Sequence, residues 1–207
     1  MRKINKGQEP ESLTQWKRSK PVGNYQNITA KVRQDIRAAC VVEQFYLCAY
    51  CCQSIAVDRA INEHVEARRI APNRDLDFSN IVASCDDRNQ CDNAHGSQPL
   101  PLTPFMRVCE TELKFKISGR VEGLTDRARE TIRVLNLGDK NGSNRGLIEK
   151  RKQLSEALLW SNSINPRDGL EDDDLLQRVI DDIQQPKNGK LESFAPVVVN
   201  ILKSWLS

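Results

Sequence analysis

The stretch CAYCCQSIAVDRAINEHVEARR, residues 48–69, joins a Cys-x-x-Cys pair to one of the two histidines in the chain. Cys48 and Cys51 are spaced so that a tight turn can bring both thiolates to one tetrahedral zinc ion. Cys85 and Cys91 form a second pair with five intervening residues, wider than the usual spacing. A four-sulfur zinc site is therefore expected on Cys48, Cys51, Cys85 and Cys91, and the plain alternative is that Cys85 and Cys91 are ordinary buried thiols. Cys52 competes as a ligand, although adjacent cysteines seldom bind one ion. Cys40 and Cys109 read as packing residues. A closed four-sulfur site has no open coordination position, so its zinc would hold the fold and do no chemistry. The surrounding segment is short of large apolar side chains, and a metal can supply stability that packing does not.

The rest of the composition agrees with a folded, thiol-bearing chain. There are 207 residues, 39% hydrophobic and 29% charged, which is enough to bury a core. No apolar run approaches the roughly 18 residues of a membrane span, and the opening MRKINKGQEPESL lacks the apolar core of a signal peptide. Seven cysteines without a secretion signal favour metal binding and a reducing cytoplasmic location over disulfides. A net charge of +3 neither requires nor excludes a nucleic-acid partner.

Outward from the cysteines, three parts are expected. Residues 1–27, with Pro10, Pro21 and Gly23, read as an extended basic arm carrying Trp16. Residues 28–124 form the metal-bearing core. Within it, Ile28, Val32, Ile36, Ala39, Cys40 and Val42 recur at helical spacing up to about Phe45. Strand-like pieces follow at Ala60–Val65 and Asn80–Ala83, and Cys91–His95 is helix-permissive. Residues 125–207 are helical: Asp126–Leu137, Arg145–Trp160, Leu170–Gln185 and Phe194–Leu206 all carry apolar stripes. The acidic run from Glu171 to Asp174 suits a helix N-terminus. The fold class is α+β, mainly helical, with a small ββα core stapled by four cysteines.

Between the two cysteine pairs lie His64 after Glu63, then Asn80 in FSNIVASC; His95 follows the last cysteine in CDNAHG. A histidine beside a glutamate is by itself usually a surface or satisfied core residue. The His–Asn–His order interleaved with cysteine pairs, however, resembles the HNH endonucleases, whose ββα-metal core is often stapled by zinc. The resemblance narrows over roughly residues 1–155. EQFYLCAYC, EHVEARR, SNIVASC, CDDRNQC, PLTPFMRVCETELKFKISGRVEG and RARETIRVLNLGDKN are similar to PtuB-type HNH subunits of Septu antiphage systems, also found as retron-associated effectors. Ala67 stands where a family member often has proline.

The resemblance implies a metal-dependent nuclease that hydrolyses phosphodiester bonds. His64 is implied as general base, since a neutral imidazole can take a proton from water. Glu63 is implied as a ligand of Mg²⁺ or Mn²⁺, and Asn80 as the residue orienting the base or the metal shell. The last ligand is His95, with Asp92 and Asn93 as rivals. The resemblance also implies a PtuA-like ATPase partner, and in retron complexes a reverse transcriptase and noncoding RNA. The chain has no GxxxxGK[ST] pattern, so ATP dependence would come from that partner. Its docking surfaces are expected on the arm and the C-terminal helices. Arg68 and Arg69 are placed to hold a nucleic-acid backbone, or are a solvated basic turn. The competing function is a catalytically inactive, zinc-stapled module that binds nucleic acid or a partner.

Overall fold

The computed structural model describes residues 1–139, 143–170 and 172–206. Among these residues the chain is α+β, with seven helices and two small antiparallel sheets. The N-terminal segment departs from the expected extended arm: α1 forms over Glu11–Ser19. Leu13 and Trp16, three residues apart, both point inward and are buried against Ile28, Val32 and Ile36. Two well-placed apolar side chains were enough to seat a helix that its flanking prolines and charges disguised. Ile4 is buried too, and its N–H donates to the Pro104 carbonyl at 2.8 Å. The arm is part of the core.

Helix α2, Ala30–Glu43, is capped by Thr29, whose hydroxyl accepts from Val32 N–H. Its buried stripe is Val32, Ile36, Cys40 and Val41, while Val42 is exposed. The chain then makes the first cysteine turn. Strands β1, Ile61–His64, and β2, Ile81–Ser84, pair antiparallel, with Glu63 opposite Val82 and His64 opposite Ile81. The single-turn helix α3, Asp92–His95, follows directly after Cys91. The expected strand–strand–helix order is present.

A second hairpin was not anticipated: β3, Leu113–Phe115, and β4, Val121–Gly123. Its turn needs Gly119, which has φ of +80°, and a Cβ there would lie 2.1 Å from the Ile148 carbonyl oxygen. Four helices complete the chain. α4 spans Asp126–Leu135, α5 Arg145–Ser161, α6 Asp173–Gln184 and α7 Ala195–Lys203. Asp172 caps α6 by accepting from Leu175 N–H at 2.9 Å; Glu171, of the same acidic run, and residues 140–142 lie outside the described residues.

One apolar cluster contains Cys48, Cys51, Cys85 and Cys91 together with Ile4, Leu135 and Leu137, Leu147 of α5 and Val197 and Ile201 of α7. The C-terminal helices therefore share a core with the cysteine site, across the boundary near residue 124. No helix among the described residues is long and apolar enough to cross a membrane.

Candidate metal centre and candidate active-site cleft

The two cysteine pairs meet because the turn at Cys48–Cys51 packs against the end of β2. Ala49 N–H donates to the Ala83 carbonyl at 3.0 Å, and Cys91 N–H to Leu135 at 2.9 Å. The Sγ atoms of Cys48, Cys51, Cys85 and Cys91 all lie within 4.8 Å of one another and are buried. The Cys48–Cys91 separation is 3.7 Å and Cys51–Cys85 4.0 Å. Sulfurs bound tetrahedrally at about 2.3 Å from zinc sit about 3.8 Å apart, so the donor set fits a metal such as zinc. Thiols this close cannot all ionise without a cation. Hydrogen bonds from Cys48 and Cys51 drive Cys85 well below the usual thiol range, while burial and its neighbours push Cys91 well up. Cys52 lies outside the group, as do Cys40 and Cys109, whose thiols burial pushes up to about 12.

Beside this centre, β1 presents Glu63 and His64 to an open cleft of about 550 Å³, whose walls also carry Asn24, Arg68, Arg69 and Asp92. His64 is 5% exposed, and its Nε2 faces the Asp75 carbonyl oxygen at 2.8 Å. A carbonyl only accepts, so Nε2 carries the proton and a neutral ring has its lone pair on Nδ1. Nδ1 has no hydrogen-bond partner among the described residues and is not fully buried. Burial lowers the His64 pKa from 6.5, which favours the neutral ring.

Two residues that the sequence did not single out hold this ring. The Tyr25 ring meets it edge-on with centroids 4.6 Å apart, and Tyr25 N–H donates to the Asp75 carboxylate at 2.9 Å. Asp75 thus secures Tyr25 with its side chain and His64 with its carbonyl. The Arg33 and Arg68 guanidiniums lie over the Tyr25 ring, 4.8 and 5.2 Å from its centroid. The signal for Tyr25 is tertiary, since nothing in local spacing relates it to His64.

Asn80 bonds to backbone groups of the loop that follows β1. Its Oδ1 accepts from Glu66 N–H at 2.8 Å, and its Nδ2 donates to the carbonyls of Glu66 at 3.0 Å and Arg74 at 3.4 Å. It pins the loop between β1 and β2, and reaches His64 only through the backbone that carries Asp75.

The predicted hard-cation ligands are close but mutually engaged. Glu63 Oε1 accepts from the Tyr50 hydroxyl at 3.0 Å and faces His95 Nδ1 at 2.5 Å. His95 Nε2 faces the Gln98 carbonyl at 2.8 Å, so both of its ring nitrogens are engaged. Burial opposes charge on both partners, yet their mutual hydrogen bond holds Glu63 below the usual carboxylate range and raises His95. Burial and Glu63 push Asp92 up to about 8, because two carboxylates here repel. Asp92 lines the cleft, whereas the Asn93 amide donates to the Asp87 carbonyl at 3.1 Å. Among the described residues, the four thiols are the group of Cys, His, Asp or Glu side chains gathered to hold an ion; Glu63, Asp92 and His95 are not gathered in that way. Arg68 and Arg69 are exposed on the cleft wall. No protein-family model and no curated protein matches the chain.

Proposed function

We propose that the chain is a metal-dependent HNH nuclease, hydrolysing phosphodiester bonds of nucleic acid with His64 as general base. The observation that carries the proposal is the fixed His64 ring. Its Nε2–H is committed to the Asp75 carbonyl, and Nδ1 is free beside a cleft walled by Arg68 and Arg69. In the proposed reaction His64 Nδ1 takes a proton from the attacking water, and the two arginines hold backbone phosphates. Glu63 and Asp92 are the hard oxygen donors that would hold Mg²⁺ or Mn²⁺, with His95 as backing or as a third donor once its hydrogen bond to Glu63 opens. That cation would supply charge stabilisation at the phosphate and the leaving oxygen. The raised pKa of Asp92 supports such a site, since a cation between the two carboxylates would relieve their repulsion. By the family resemblance, the chain acts as an effector subunit beside an ATPase in antiphage defence.

A second reading, a zinc-stapled binding module without activity, has one observation in its favour. Glu63 and His95 already satisfy one another, as a purely structural pair would. The two readings separate in a cleavage assay on single-stranded and duplex DNA and on RNA, with the ATPase partner present and Mg²⁺ or Mn²⁺ added or withheld. The nuclease reading expects products that appear only with the divalent ion and are lost in Glu63→Gln. Binding without cleavage under every metal condition would favour the module.

A further inference from the structure

Arg151 is a full side chain in the interior with no anion in contact. It is 0% exposed. Nη1 donates to the Gly119 carbonyl at 2.7 Å and Nη2 to Leu137 at 2.9 Å, while Nε has no partner. Its guanidinium lies 5.1 Å from the Phe115 ring centroid. No carboxylate pairs with it among the described residues. Arginine is almost never fully buried unless paired, because an uncompensated buried charge is strongly destabilising. Two carbonyls and a ring face soften that cost without cancelling the charge.

The neighbouring group able to carry a counter-charge is the cysteine core. Leu137, which accepts from Arg151, is two residues past Leu135, whose carbonyl holds Cys91 N–H. Phe115 and Leu137, which both touch the Arg151 guanidinium, pack in the same buried cluster as Cys48, Cys51, Cys85 and Cys91, and burial lowers the Arg151 pKa to about 10. Four thiolates around one divalent ion form a dianion, and a buried dianion needs hydrogen bonds and a cation nearby. The same helix supplies more. The α5 cap residue Asn144 accepts from Leu147 N–H at 3.1 Å and donates to Gln90 Oε1 at 2.9 Å. Gln90, 1% exposed, turns its Nε2–H toward the sulfurs of Cys51 and Cys85, each 3.7 Å away. Helix α5 thus reaches the thiol cluster with its positive N-terminal end, through an amide relay, and holds a buried cation against Leu137 and Phe115 of the same apolar cluster.

We infer that Arg151 is the counter-cation of a metal-loaded four-thiolate centre, so that the seating of α5 and metal binding are coupled. The inference rests on the cysteines holding a divalent metal and is independent of the nuclease reading. Coupling is reciprocal: the dianion stabilises the buried guanidinium, and the guanidinium strengthens metal binding.

The test is the zinc affinity of the full chain, by competition with a chromogenic chelator, for wild type, Arg151→Met and Arg151→Lys. Both substitutions lose the forked hydrogen bonds, and only Met loses the charge. Arg151→Met should bind zinc about 10–100-fold more weakly, the usual cost of losing an outer-shell partner, and Arg151→Lys should keep most of the wild-type affinity. Equal weakening in both variants, or wild-type affinity in Arg151→Met, would overturn the inference. If Arg151→Met does not fold, Arg151→Gln replaces it as a neutral side chain. Folding of Lys alone among the three supports the charge role, and failure of Lys to fold assigns Arg151 to packing. A wild-type chain that takes up no zinc refutes the metal reading itself, a result distinct from either variant outcome.

Discussion

Removing the metal from the four cysteines is expected to unfold the protein, not merely to loosen one turn. The thiols sit inside the cluster that also contains Ile4, Leu135 and Leu147, together with Val197 and Ile201 of α7. Structural zinc sites contribute apparent binding free energies of about 10–16 kcal/mol at neutral pH. The net stability of a domain is about 5–15 kcal/mol. An ion bound there would contribute as much as the whole margin, and its loss would leave four crowded thiols that cannot all ionise. Cys51→Ser replaces a thiolate with a hydroxyl that stays protonated at neutral pH, so it should lose most of the metal. The assay is metal content by mass spectrometry, with circular dichroism and tryptophan fluorescence melts with and without chelator. Trp16 is a useful reporter because it is buried in the separate cluster around α1 and α2. Cys52→Ser is the control: Cys52 is buried but outside the ligand group, so metal content should not change. A metal-free chain that melts cooperatively at the wild-type midpoint would refute the reasoning.

Three further outcomes concern the cleft, the first two within the proposed nuclease reaction. With Mn²⁺ saturating, cleavage should rise with pH in the range below 6.5 and flatten above it, because burial lowers the His64 pKa and only the neutral ring accepts a proton; a pH–rate profile checks this, and a rate that falls over that range would oppose it. Tyr25→Leu removes the ring that fixes His64, and since a misplacement of about 1 Å can cost 10²-fold, a loss of about 10–100-fold in kcat is expected, with Tyr25→Phe near wild type and zinc content unchanged. Asn80→Ala leaves the Glu66 N–H and carbonyl without their partners, while the Arg74 carbonyl keeps the Asp77 N–H, which should cost about 1–3 kcal/mol in a denaturant melt; an unchanged midpoint would show that the loop does not depend on it.

The sequence was most legible where chemistry depends on spacing. The Cys48–Cys51 turn and the wider Cys85–Cys91 pair converge as expected, and β1, β2 and α3 fall within a few residues of their anticipated positions. Helices with full apolar stripes, such as α2 and α4, were equally plain. Helix α1 was hidden because only Leu13 and Trp16 mark its inner face, between Pro10 and a run of basic residues. The β3–β4 hairpin was hidden because three-residue strands carry too little alternation to register. In α5 the stripe expected from Leu147, Ile148, Leu154, Leu158 and Leu159 shifts: Leu154 is 38% exposed, and Arg151 with Ser155 takes the inward positions. A basic residue at such a position reads as solvated until the Gly119 and Leu137 carbonyls that receive it are placed in space. Tyr25 and Asp75 show the same limit, since their relation to His64 exists only after the chain folds.

The central claim is that His64 is a catalytic base standing on a scaffold that does not need it. The most direct measurement is nucleic-acid cleavage by His64→Ala at saturating Mg²⁺ or Mn²⁺ with the proposed ATPase partner present, alongside zinc content and melting. General-base catalysis contributes typically about 10²–10⁴-fold, so cleavage should fall by about that factor. Zinc content should be unchanged, because His64 is outside the thiol group. Losing its bond to the Asp75 carbonyl and its packing against Tyr25 should cost about 1–3 kcal/mol, the usual range for a single substitution and less than loss of the fold. Wild-type cleavage by His64→Ala would contradict the account, as would a loss of cleavage that tracks a loss of zinc and fold.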